Sequence, residues 1–94
     1  MIYRLAFGIT SDGYLRVTAS AKGQPEISTI HLNDKVFAVL VKASDLAPFQ
    51  TLRILEAARE ARSKPGMEIC CEAMELTDKQ IERLGLRSGW DRIA

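Results

Sequence analysis

Hydrophobic and polar positions alternate through the first twenty residues. Tyr3, Leu5, Phe7 and Ile9 are separated by smaller or polar residues, and Leu15, Val17 and Ala19 repeat the pattern after a polar break. A period of two puts successive side chains on opposite faces of a strand, so the pattern predicts a hairpin with one apolar face. Those faces also set the register. A two-residue turn at Asp12-Gly13 would place Ile9 on the side of Arg16. A three-residue loop, Ser11-Asp12-Gly13, instead pairs Ile9 with Leu15 and Phe7 with Val17. That loop is a type I turn plus a bulge, which takes glycine at its left-handed third position, and Gly13 occupies it. The other face, with Tyr14, Arg16 and Thr18, is left to water or a partner.

Lys22-Gly23-Gln24-Pro25 reads as a second turn, and residues 26–32 as a third strand with Ile30 and Leu32 on one face and Ile27 on the other. The run at residues 36–41 is ambiguous. Its three valines favour a buried strand, which is the expectation taken here. The alternative is a short helix capped by Asn33 or Asp34, with Val36, Val39 and Leu40 on one face. Residues 48–63 form a helix that tolerates Pro48 in its first turn. Phe49, Leu52, Leu55, Ala58 and Ala61 line its apolar side, with Ile54 and Ala57 beside them. Gln50, Arg53, Glu56, Glu60 and Lys64 turn to water, and Pro65-Gly66 ends it.

Residues 67–76 are expected to be a last strand, with Met67, Ile69, Cys71 and Ala73 facing inward and Glu68, Cys70 and Glu72 outward. A helix through Ile69, Ala73 and Leu76 is the alternative. Thr77-Asp78-Lys79-Gln80 has the form of a capping box. The helix it starts is short, because Gly85 sits where a left-handed C-cap belongs and Leu86 is placed to fold back on Ile81. The fold class expected is α+β: an antiparallel sheet of three to five strands, one long helix packed on a face, and a short C-terminal helix.

Length and composition narrow the reading. Ninety-four residues at 47% apolar and 27% charged make one globular domain rather than a disordered chain. The net charge of +1 lacks the basic excess of a dedicated nucleic-acid binder. The N-terminal segment has none of the regions of a secretory signal, and the longest apolar run is far too short to span a bilayer. Two adjacent cysteines do not make a disulfide framework. A cytoplasmic location, with no membrane partner, is the expectation.

Candidate chemistry is sparse. His31, Cys70 and Cys71 are the only imidazole or thiol side chains. Vicinal cysteines on a strand point to opposite sides, and the spacing lacks the paired ligands of a structural zinc site. Glu68 and Glu72 flank Cys70 and oppose a reactive thiolate. No catalytic, cofactor-binding or metal-binding residues are assigned, and an enzyme is not expected. Residues 80–86 resemble the first helix and turn of a helix-turn-helix. The continuation, with Gly89 and Asp91, does not suit a recognition helix.

Basic residues gather on the main helix and in the tail: Arg53, Arg59, Arg62, Arg83, Arg87 and Arg92. Trp90 stands among them, and tryptophan and arginine are enriched at binding hot spots. With Tyr14 and Arg16, these are the candidate partner-binding residues. The expected function is a non-enzymatic module that binds a larger protein or assembly, occluding or bridging it, with a homodimer as a further option. Inhibitors encoded by phages or other mobile elements against bacterial defence, such as anti-CRISPR proteins, share this size and character. That expectation rests on no motif. The alternatives are a nucleic-acid-binding or regulatory module using the basic helix and tail, and a small-molecule binder or thiol enzyme.

Overall fold

The computed structural model describes residues 1–21, 26–86 and 90–93, with 26–31 and 90–93 as backbone. The hairpin is formed by β1 (Ile2–Ile9) and β2 (Leu15–Ala21), paired antiparallel in the expected register, with Phe7 opposite Val17 and Ile9 opposite Leu15. Gly13 carries a φ of +90°. The loop closes through Gly13 N–H to the Thr10 carbonyl (2.9 Å) and Thr10 N–H to the Tyr14 carbonyl (2.8 Å). Strand β3 (Glu26–Leu32) adds to β2 antiparallel, with a register shift at Ala19/Ser20. The expected turn at residues 22–25 and the expected facing of Ile27 and Ile30 lie outside what the structure describes.

Helix α1 (Asp34–Ala43) replaces the strand expected at 36–41. Asn33 caps it, its side chain accepting from Val36 N–H at 2.8 Å. The cap satisfies an otherwise unpaired donor and commits the run to a helix. The facing also differs from the helical alternative. Phe37 and Val41 are buried and Val36 and Val39 are exposed. The Phe37 ring meets Phe7 edge-on at a centroid distance of 5.8 Å, and this contact with the sheet sets the helix's rotation.

Helix α2 (Pro48–Ser63) has the expected span but not the expected face. Gln50, Ile54, Ala57 and Ala61 are buried, while Phe49 and Leu52 are exposed. The alanines let the helix lie close to the sheet, which a Phe49–Leu52 face would hold away. Gln50, expected in water, bridges two elements. Its Oε1 accepts from Ala47 N–H (3.0 Å) and its Nε2 donates to the Glu75 carbonyl (2.8 Å).

The single strand expected at 67–76 is two short ones, β4 (Ile69–Cys70) and β5 (Met74–Glu75), both antiparallel to β1. The register slips by one residue between them. A one-residue slip exchanges the faces. Cys71 is therefore buried as expected, but Ala73 is exposed, and Met74 and Leu76 fill the core instead. Met67 lies before the paired segment and is exposed as well.

Helix α3 (Asp78–Arg83) has the capping box, with Thr77 Oγ1 accepting from Gln80 N–H and Gln80 Oε1 accepting from Thr77 N–H. Gly85 has a φ of +86°, and Leu86 N–H bonds back to the Ile81 carbonyl at 2.9 Å. Leu86 itself is fully buried. Residues after the helix return to the sheet as β6 (Trp90–Ile93), parallel to β3, not as a recognition helix. The sheet order is β4-β1-β2-β3-β6, with β5 on the same strand, β1, as β4. The core lies between the sheet and the helices, built on Leu5, Phe7, Leu15, Val17, Leu32, Phe37 and Ile54. The sheet departs from the expected one in the single parallel pair, β3 with β6; its other described pairs are antiparallel and its helices are segregated, which gives the α+β class.

Candidate functional site

The helical layer has an inner face that closes the core and an outer face rich in uncovered apolar side chains. Arg62, near the end of α2, forks onto Asp34 at the start of α1 (Nη2–Oδ1 2.7 Å, Nε–Oδ2 3.2 Å). With only residues 44–47 between the helices, this pair makes α1 and α2 an antiparallel hairpin. Val39 and Phe49 are each 65% exposed and Leu52 is 58% exposed. A groove of about 280 Å³ runs between the helices, walled by Ala38, Val39, Val41, Thr51 and Leu55, with Lys42 at its margin. Isolated exposed apolar residues are ordinary, whereas larger apolar patches are more often found where proteins interact.

Of the expected partner-binding residues, Arg53 and Arg62 do not share a face. Arg53 and Arg62 are nine residues, or two and a half turns, apart and leave α2 on opposite flanks. Each meets a carboxylate: Arg53 pairs with Glu72 at 2.9 Å, and Arg62 with Asp34. These neighbours raise both guanidinium pKa values, Arg53 through its hydrogen bond to Glu72 and Arg62 through its bond to Asp34. Arg62 also donates from Nη1 to the Gly13 carbonyl at 2.9 Å, tying the hairpin loop to both helices. Arg59 is exposed on the outer face of α2, and Arg83 is exposed on α3.

Tyr14 is 37% exposed beside the hairpin loop. Arg16 lies across Gly8, its opposite number on β1, and reaches Glu68 at 3.7 Å. Arg87 lies outside the described residues. Trp90 and Arg92 are placed by backbone register alone, opposite Ser28 and Ile30.

The thiols flank a second groove, of about 260 Å³, lined in part by Arg53, Glu56, Glu60 and Glu72. Cys70 is exposed and Cys71 is buried, its Sγ–H directed to the Arg53 carbonyl at 3.7 Å. Burial, with the neighbouring Cys70 thiol, pushes the Cys71 thiol up to about 11. It therefore keeps its proton at neutral pH, and thiolate chemistry there is unfavourable. Among the described residues no three His, Cys, Asp or Glu side chains converge as metal ligands would. No helix of the described residues is long and apolar enough to cross a membrane.

Val39, Phe49 and Leu52 do not stand out in the sequence as a surface, because apolar residues at helical or strand spacing read as core. A signal for them does exist. The apolar residues of 48–63 spread around most of the helix circumference, more than one packed face can cover. Comparison of the chain with family models, with curated proteins and with solved structures gives no match.

Proposed function

We propose that this protein is a non-enzymatic binding module that docks a larger protein through the outer surface of α1 and α2. The observation that carries the reading is the α1–α2 groove with the exposed Val39 in its wall, and the exposed Leu52 one turn before the wall residue Leu55 on the same helix face. Burying such side chains in a partner removes apolar area from water, at about 25 cal/mol per Å² before the costs of association. Occlusion or bridging of an assembly, including a mobile-element-encoded block of a bacterial defence complex, is the finer form of this proposal.

Pairing of Arg53 with Glu72 and of Arg62 with Asp34 occupies two of the cations on which a phosphate-binding face would draw. A tagged pull-down from host lysate, with and without nuclease, tests the reading. The expected result is a discrete protein complex that survives nuclease and is lost with Leu52→Glu. Recovery of nucleic acid, with co-purifying proteins released by nuclease, would transfer the function to the basic residues. An activity abolished by Cys70→Ser or His31→Ala would instead return it to small-molecule or thiol chemistry.

A further inference from the structure

The α1–α2 groove is distinguished by its charges as well as its apolar walls. Among the described residues, Lys42 is the only ionisable one lining it. Lys35 stands one turn before Val39, and Arg59 one turn after Leu55, and residues four apart share a helix face. Because α1 and α2 run in opposite directions, Lys35 and Arg59 belong to one end of the groove and Lys42 to the other. Among the described residues, none of these three cations has an ion pair, whereas Arg16, Arg53, Arg62 and Lys64 each have one. The carboxylates Glu56 and Glu60 of α2 line the separate groove by the cysteines, and Glu60 is held by Lys64. The α1–α2 groove is thus mainly apolar in its walls and bordered by cations toward both ends, with no carboxylate among the described wall residues.

We infer that this groove seats an acidic amphipathic helix of a partner protein, its apolar stripe against Val39 and Leu55 and its carboxylates against Lys35, Lys42 and Arg59. The inference rests on the protein-binding reading above and names the chemistry of the partner. A groove between two helices takes a third helix by its apolar residues at i, i+3 or i+4, and i+7. Ten-residue α1 is about 15 Å long and matches roughly three turns of such a ligand. A second copy of this chain fits worse: in a two-fold contact the same patch serves both partners, so it would bring the same three cations together. An extended peptide joins a strand edge, whereas the described walls of this groove are helical.

The test uses the full chain and two synthetic peptides, each held helical by a side-chain staple. One carries leucines at i, i+3 and i+7 with glutamates elsewhere, and its twin carries lysines for the glutamates. The glutamate peptide is expected to bind at least about tenfold more tightly than its twin, and to shift the backbone NMR signals of residues 35–42 and 51–59. Its binding is expected to weaken with added salt. Val39→Glu, at a site too exposed to threaten folding, and Lys42→Glu are each expected to weaken it about tenfold or more. Equal binding of the two peptides, or binding indifferent to Val39→Glu, would overturn the inference. So would a dimer in sedimentation that Val39→Glu dissociates, which would name a second copy as the occupant. Flotation with anionic phosphatidylserine vesicles, abolished by Val39→Glu, would overturn it in favour of a lipid surface. A pull-down partner that is lost with Leu52→Glu but not displaced by the glutamate peptide would remove this inference and leave the binding-module reading standing.

Discussion

Cys71 shows how a position in the fold sets a side chain's chemistry. Its thiol is held protonated by burial, with a pKa of about 11 against an ordinary 9.0. A folded-state value above the unfolded one favours folding below pH 9, where both states hold the proton. That contribution falls as pH rises from about 9 to about 11, because the unfolded chain loses its proton first. Urea unfolding across this window is expected to show about 2 kcal/mol of stability lost, and Cys71→Ala to flatten the loss. At pH 8 a thiol reagent is expected to label Cys70 in the native protein and Cys71 only on unfolding. Two glycines make a second residue-scale contrast. Gly13 sits at φ +90° with open space around it, so Gly13→Ala meets backbone strain and no clash. It is expected to cost about 1 kcal/mol in thermal or urea unfolding. A Cβ on Gly8 would lie 2.6 Å from Nη2 of Arg16, the mobile end of a long side chain. Gly8→Ala is expected to displace that guanidinium and change stability by less than about 0.5 kcal/mol, since only an exposed ion pair is lost.

Among the elements, α2 depends on Gln50 for its attachment to the sheet edge. Removing that amide leaves the Ala47 N–H and the Glu75 carbonyl without their partner. Gln50→Leu is therefore expected to cost about 2 kcal/mol in urea unfolding despite its greater hydrophobicity. Elements whose signals are local were legible in the sequence. The β1–β2 register followed from alternation and Gly13, and α3 followed from Thr77, Gln80, Gly85 and Leu86. Elements decided by distant contacts were not. The valines of α1 favour a strand, and it is the Asn33 cap with Phe37 against Phe7 that makes them helical. The facing of α2 depends on how closely Ala57 and Ala61 approach the sheet, which its own periodicity does not record. The one-residue slip between β4 and β5 exists only in relation to β1. The same limit hid the candidate site. Val39 and Leu52 belong to the surface because Phe37, Val41 and Ile54 already fill the core beneath them.

For the whole molecule, the sheet is built outward from β1. That strand pairs with β2 over seven residues, but its other side is completed by β4 and β5, of two residues each. Short, interrupted edge strands also discourage pairing with other chains. Hydrogen exchange is expected to resolve this unevenness. Amides of β1 bonded to β2 should exchange only through global unfolding, and those of β4 and β5 sooner, by local opening. Equal protection across the sheet would show that the edge opens only with the core. The central place of β1 also matters during synthesis. About 60 residues separate the end of β1 from β4, and at roughly 5–20 residues per second the ribosome takes several seconds to make them. For that interval the nascent hairpin has an unpaired edge and a bare apolar face, and it is then that a ribosome-associated chaperone would meet it.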